Sequence, residues 1–460
     1  MILRLALRSL AVRPVRTAVL ACGFGLGIAV MAALLGVGDV ILEQARSPAL
    51  AGGGDMVVFG AFGAIENAPF VLSSVRALAP TASPGRDAAI YLMQDGQAIR
   101  VRGHGGVPSL EKAIGDSEVK DVAAWMDAPS DARWTHVDQA GVLRALDRFH
   151  PQPDAPEFAA SWAEWLYFNG RSSDGRTRFY LTFITGPQSR PGVRSAGVRL
   201  QLDRDGHATS YSAAADVDER TLLETAPDLD IAGNSVRLDG TRYRISLHLP
   251  GASGELVLDP APGRSLPPAV LHGARGWLSG YVVPVLSGTL SGALHVPSTG
   301  SGQAETVVFE NATGYHDHNW GFWKDVRWQW GQVSGNDLSF IYGRVFPPED
   351  VAAADRIPGF LGVLDASGLV GVATNVTITE HRPEGDAQAA PSSIDVTARG
   401  GGLDVRLSFA TDRSVRTALS MTGGANDFLQ LGGTYRVEGR AAGRPVDFTA
   451  RGAAETFHPR

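Results

Sequence analysis

Alternation of apolar and polar residues constrains this chain more than any other feature. In residues 242–249, Tyr243, Ile245, Leu247 and Leu249 fall on one face, and Arg242, Arg244, Ser246 and His248 on the other. A period of two marks an antiparallel strand with one face in a core and one in water. Comparable stretches recur from residue 162 onward, including residues 403–409 and 445–450. Asp174-Gly175, Asp205-Gly206 and Asp239-Gly240 stand between such runs. Asp-Gly favours the tight turn of a hairpin, because both positions adopt positive φ there. Short strands with frequent turn signals close into barrels or sandwiches. The expected fold class is therefore mostly β: two antiparallel barrels in tandem, preceded by a single transmembrane helix and a small α+β segment.

The segment ahead of the strands, residues 51–157, reads differently. Residues 51–54 are a flexible exit, and residues 55–60 and 88–101 alternate like short strands. Residues 109–126 carry Leu110, Ile114, Val122 and Trp125 at helical spacing. Residues 138–149 place Val142, Leu146 and Phe149 on one helical face and stop before Pro151. Residues 151–157 read as a linker.

Residues 17–38 contain no charge, a run of 22. A helix of that length crosses the roughly 30 Å hydrocarbon layer of a bilayer. Arg4, Arg8, Arg13 and Arg16 precede the run, and Asp39 and Glu43 follow it. The positive-inside rule then places residues 1–16 in the cytoplasm and residues 40–460 outside. The expectation is a single-pass anchor, residues 1–50, in a bacterial inner membrane, with the bulk of the chain in the periplasm. The run is longer than the apolar core of a signal peptide, and no small-x-small cleavage site follows it. A reporter fused to the C-terminus should work only if it functions outside the cytoplasm. Cytoplasmic reporter activity, or a mature N-terminus beyond residue 38, would contradict this topology.

Composition narrows the function. A net charge of −7 gives no basic patch for nucleic acid. Only Lys112, Lys120 and Lys324 among the 41 basic residues are lysine, and the arginines are scattered. The one cysteine, Cys22, lies in the apolar run, so neither an intramolecular disulfide nor a cysteine-based zinc site is available.

Two motifs carry candidate chemistry. The first is Trp162-Ala163-Glu164-Trp165-Leu166-Tyr167-Phe168-Asn169-Gly170. The second is Gly314-Tyr315-His316-Asp317-His318-Asn319-Trp320-Gly321. If the second is extended, His316, His318 and Trp320 share one face, while Tyr315, Asp317 and Asn319 share the other. Four of the nine tryptophans fall between residues 320 and 330. Rigid aromatics beside imidazoles suit a concave site for an apolar ligand. His316, His318, Trp320, Trp328 and Trp330 are therefore candidate ligand-binding residues. The competing reading is structural: Asp317 and Asn319 tie down a neighbouring strand, and the tryptophans fill a barrel end. Trp165 and Trp320 are expected to be buried within their barrels. The His-x-His spacing can serve a metal ion, but Asp317 would face away, so neither a metal nor another cofactor is expected. No Gly-x-Ser-x-Gly hydrolase motif occurs. The sequons at Asn311 and Asn375 are taken as incidental.

The first motif resembles the Glu-Trp-Trp-Tyr-Phe-Asn-Gly signature of the lipocalin-like hydroxyneurosporene synthase (carotenoid 1,2-hydratase) family. The second resembles that family's Gly-Tyr-x-Asp-His-Asn-Trp-Gly signature, and residues 281–294 look like its crossover between barrels. The resemblance spans about residues 158–460 and implies a first barrel at 158–300 and a second at 301–460. It also implies an acid two residues after a tyrosine, used to protonate an isolated double bond. The matching stretch here is Ile341-Tyr342-Gly343-Arg344, so Tyr342 is present but Arg344 occupies the acid's position. A cation there opposes a carbocation. Asp317, with His318 and Tyr342, is the alternative catalytic set, but a carboxylate between two histidines is expected to be ionised.

Residues 5–39, with Leu5-Ala6-Leu7-Arg8 and Arg13-Pro14-Val15-Arg16-Thr17, resemble the first transmembrane segment of MacB/FtsX-type ABC transporter permeases. The expected function is thus a membrane-anchored, non-catalytic module beside such a transporter. It would hold or hand over a hydrophobic, lipid or isoprenoid-like molecule, with Tyr342 and Arg344 among the contacts and Arg344 on an anionic headgroup. The alternative is a carotenoid 1,2-hydratase-like hydro-lyase.

Overall fold

The computed structural model describes residues 14–15 and, with short interruptions, residues 53–459. The anchor expected at residues 17–38 lies outside the described residues. Among the described residues, no helix is long and apolar enough to cross a membrane.

The chain forms two compact units, residues 1–65 with 75–136, and residues 66–74 with 137–460. The first holds a hairpin of β1 (Gly85–Gln94) and β2 (Gln97–Gly106), paired from Gly85↔Gly106 to Gln94↔Gln97. Residues 56–59 are not a strand. The helix expected over residues 109–126 is short, Pro108–Ala113, because Gly115 takes a left-handed φ of +79° and turns the chain away.

The second unit contains two nearly closed antiparallel barrels. The first is built from β3 (Trp162–Arg171), β4 (Thr177–Arg190), β5 (Val193–Arg204), β6 (His207–Asp218), β7 (Leu229–Ile231), β8 (Asn234–Asp239), β9 (Arg242–Leu249), β10 (Ala252–Pro260), β11 (Leu266–His272), β12 (Leu278–Pro297) and β13 (Ala304–Phe322). Its order is β6-β5-β4-β3-β13-β12-β10-β9-β8-β7, with β11 on β12. The second comprises β14 (Arg327–Gly335), β15 (Leu338–Phe346), β16 (Phe360–Asp365), β17 (Gly368–Ala373), β18 (Asn375–His381), β19 (Ser393–Gly400), β20 (Leu403–Met421), β21 (Gly424–Ala441) and β22 (Arg444–Pro459). Its order is β17-β16-β15-β14-β22-β21-β20-β19-β18. The division between the sheets thus falls after Phe322, not at residue 300. The long strand β13 joins the first sheet by inserting between β3 and β12, which residues 281–294 help to form.

The Asp-Gly signals act as turns. Asp205 and Gly206, with φ of 53° and 87°, join β5 to β6. Both barrels are filled. Asp138 caps the helix Gln139–Leu146, whose Val142, Leu143 and Leu146, together with Phe149, join the core of the first barrel. Phe340, Tyr342, Phe409 and Tyr435 pack inside the second. A third apolar cluster, with Tyr167, Tyr180, Tyr315, Trp330 and Ile341, lies between them.

Trp320 is 4% exposed and pairs directly with Gly280 across β13 and β12. A methyl group on Gly280 would lie 2.0 Å from the indole, so the glycine makes room for the ring. Trp320→Ala should cost about 3–5 kcal/mol, as for other buried large aromatics. Thermal melting checks this, and an unchanged midpoint would show that the ring is not core. Trp165 differs: it is half-buried and lines a cavity instead of filling a barrel.

Candidate functional site

Strand β13 sends alternate side chains to opposite sides of its sheet, and two different polar sites result. His316, His318 and Trp320 point into the first barrel. His316 Nε2 lies 2.7 Å from Asp147 Oδ2, which also accepts the Tyr243 hydroxyl proton at 2.6 Å. His318 Nε2 lies 3.0 Å from Glu164 Oε1, and its Nδ1 lies 3.5 Å from Asp147 Oδ1. His150 closes the group, with Nδ1 2.7 Å from Glu164 Oε1 and its ring stacked 4.2 Å from Trp320. Asp147, Glu164, Arg194, His316 and His318 all have side chains that are fully buried.

Burial works against charge here, but the partners prevail. Hydrogen bonds and attraction from Asp147 and Glu164 hold the His318 pKa up at about 9 despite desolvation. Desolvation likewise opposes ionisation of Asp147 and Glu164, yet the histidines beside them hold both below the usual carboxylate range. His150, Glu164 and His318 each offer one ligand atom within 4.8 Å of one another, a spacing that a metal ion would need. The buried Arg194 guanidinium already stands 3.6 Å from Glu164 Oε2. The set reads as an ion-pair network that ties the plug after the helix Gln139–Leu146 to the barrel wall.

The other face of β13 forms the floor of a cavity of about 260 Å³. Directly opposed residues in antiparallel strands share a face. Asp317 pairs with Tyr167, Tyr167 with Thr182, and Thr182 with Arg199, giving a row across β13, β3, β4 and β5. All four line the cavity. Its roof comes from the second barrel, where Trp330 pairs with Glu455 and Glu455 with Gln430, while Trp328 pairs with Phe457. Tyr167 joins floor to roof by donating to Glu455 Oε1 at 2.5 Å.

Two carboxyl groups thus meet in an aromatic enclosure. Asp317 Oδ2 accepts from the Tyr315 hydroxyl at 2.8 Å, and Oδ1 accepts from Asn319 Nδ2 at 2.9 Å. The Tyr315 hydroxyl is 3.0 Å from that of Tyr281, which accepts from Trp330 Nε1 at 2.8 Å. Desolvation outweighs these donors and raises the Asp317 pKa to about 7. Glu455 is raised to about 8, first by desolvation and then by the nearby Asp317. Two close carboxyl groups resist double ionisation, so near neutrality the pair retains a proton. Desolvation pushes the hydroxyls of Tyr167, Tyr281 and Tyr315 well above their ordinary values, so they stay protonated.

The candidate residues therefore separate. Trp328, Trp330, Asp317 and Arg344 line the cavity. His316, His318 and Trp320 do not; they face the filled interior of the first barrel. Tyr342 is inside the second barrel, with its hydroxyl 3.1 Å from that of Tyr435. Arg344 lies opposite Gln329 on β14 and stacks 4.7 Å from the Phe346 ring. The expected ionised state of Asp317 is corrected: alternation turns its carboxyl away from the flanking imidazoles and into apolar surroundings. Sequence reasoning missed Glu455, Tyr167, Tyr281 and Arg199.

Solved structures similar to this chain include the following three. A candidate AttH protein of Nitrosomonas europaea is 18% identical, with a TM-score of 0.43, over 67% of this chain and 96% of that one. CghA with Sch210972 is 11% identical, with a TM-score of 0.47, over 68% of this chain and 94% of that one. Kievitone hydratase from Nectria haematococca is 12% identical, with a TM-score of 0.43, over 65% of this chain and 90% of that one. No family model and no curated protein matches the chain.

Proposed function

We propose that this protein is a hydro-lyase that adds water to, or removes it from, an isolated carbon–carbon double bond of a mainly apolar substrate. The observation that carries this reading is the placement of the Asp317 carboxyl. It is buried in an aromatic cavity and held by Tyr315 and Asn319 with its pKa raised to about 7. A carboxylic acid that remains protonated near neutrality can protonate an alkene, which a carboxylate cannot. In the hydration direction Asp317 gives its proton to one alkene carbon, and the π electrons form the new C–H bond. The positive charge on the other carbon lies among the faces of Trp328, Trp330 and Tyr281. Water attacks that carbon, and its surplus proton returns to Asp317, which the first step left as a carboxylate, so the acid is regenerated. Dehydration runs the same steps in reverse. The resemblance of both motifs to the carotenoid 1,2-hydratases supports the reaction class, with the acid here on β13 instead of at Arg344. In the same proposal residues 17–38 anchor the chain in the membrane, and the cavity faces the outside, beside an ABC transporter of the MacB/FtsX type.

Citronellol, whose protonation gives a tertiary cation, is a suitable probe. The full chain in water enriched in heavy oxygen should convert it to a tertiary alcohol carrying the label. Absence of labelled alcohol from both citronellol and citronellic acid would contradict the reading.

A further inference from the structure

The cavity contains a cation that no carboxylate among the described residues neutralises. Arg199 is half-buried at the far end of the row that begins at Asp317. Its guanidinium makes two long contacts, each 3.5 Å, to the hydroxyls of Ser210 and Thr417. Among the described residues no carboxylate pairs with it, and burial alone lowers its pKa. Three other arginines of this unit have carboxylate partners: Arg194 pairs with Glu219, Arg204 with Glu305 and Arg416 with Asp427. Its neighbours at that end are polar too. Gln201 is two residues along β5 and accepts from the Thr417 hydroxyl at 2.9 Å. A planar guanidinium beside amide and hydroxyl groups matches a carboxylate, which takes two parallel N–H bonds. Desolvating a cation without a counter-charge is unfavourable, and a ligand anion would offset that cost.

We infer that the substrate is an amphipathic carboxylic acid, whose carboxylate binds Arg199 while its apolar chain runs along the row toward Asp317. This assignment rests on the proposed function only for the identity of the working cavity. Three strand spacings separate the Arg199 and Asp317 backbones, about 14 Å in a flat sheet. The Arg199 guanidinium reaches Ser210 on β6 and Thr417 on β20, so the interval across Thr182 and Tyr167 is left for the chain between headgroup and double bond. The site therefore selects by headgroup at one end and by alkene position at the other. Arg344, at another part of the wall, stacks on Phe346 and is the natural control.

The test is equilibrium titration of the full chain with citronellic acid and with methyl citronellate at pH 7, in the same detergent. The two probes share the alkene and differ in charge. The acid should bind about tenfold more tightly or better, the usual effect of a charge-assisted pair. Arg199→Gln should remove that preference, whereas Arg199→Lys should retain part of it. Arg344→Gln and Asp317→Asn should leave the preference intact. Equal binding of acid and ester by the wild type would overturn the assignment, and needs no variant. A preference that survives Arg199→Gln, or that disappears in Arg344→Gln instead, would overturn it as well. Acid-selective binding without any hydration would leave the Arg199 site standing and remove the hydro-lyase reading. Hydration of both probes with equal affinity would do the reverse.

Discussion

Asp317→Asn is expected to abolish hydration, lowering turnover by about 10²–10⁴-fold, the usual contribution of a positioned general acid. The amide keeps the size of the side chain and its contact with Tyr315 but has no proton of suitable acidity to give. Stability should move the other way. The carboxyl of Asp317 has a folded pKa raised from 3.8 to about 7. The fold favours its protonated form, so its contribution is fully present below about pH 4 and is lost as pH rises through about 7. Asn carries no such loss. The variant's melting temperature should therefore exceed that of wild type increasingly from about pH 4 to 7, and by a constant margin above that. Wild-type kcat should decline on the alkaline side, as the Asp317–Glu455 pair gives up its remaining proton. A variant that melts much lower and retains activity would show that Asp317 is structural.

The largest effect on stability is expected from the network behind β13. Glu164→Ala removes the carboxylate shared by His150, His318 and Arg194, leaving Arg194 with Glu219 and His318 with the longer contact to Asp147. Breaking buried pairs in this way costs about 3–5 kcal/mol. The pH dependence identifies the group responsible. His318 has its pKa raised from 6.5 to about 9 by Asp147 and Glu164, against the effect of burial. Its contribution is fully present below about pH 6.5 and disappears as pH rises through about 9. Wild type should lose melting temperature over that alkaline window, and His318→Gln should lack the part of the slope above about pH 8, where Asp317 and Glu455 have already ionised. A wild-type profile that is flat from pH 6.5 to 9 would mean that His318 is neutral in the fold.

Much of this architecture was legible locally. The alternation at Arg242–Leu249 and the Asp205-Gly206 turn specify a hairpin whatever surrounds them. The face division of residues 315–320 follows from strand periodicity alone, and the structure keeps it. The roles of the two faces were not legible. They depend on β13 pairing with β3, roughly 150 residues earlier in the chain, and on what β22 brings opposite. Glu455 meets Asp317 only through that packing of one sheet on the other, and no local pattern encodes the encounter. The same holds for ionisation. Histidines adjacent in sequence argue for a charged Asp317, but adjacent strand residues point apart, and the enclosure that Asp317 enters is built from distant tyrosines and tryptophans. The helix expected over residues 109–126 was misjudged for a nearer reason, since Gly115 ends it.

The central claim is that the Asp317 carboxyl is protonated in the cavity near neutral pH. Infrared difference spectroscopy of wild type against Asp317→Asn, titrated from pH 4 to 9, reads that proton directly through the C=O stretch of a buried carboxylic acid. The account predicts a carboxylic acid band at pH 6 that is absent from the variant and fades as pH rises through about 7. An Asp317 that already shows only carboxylate bands at pH 6 would contradict it.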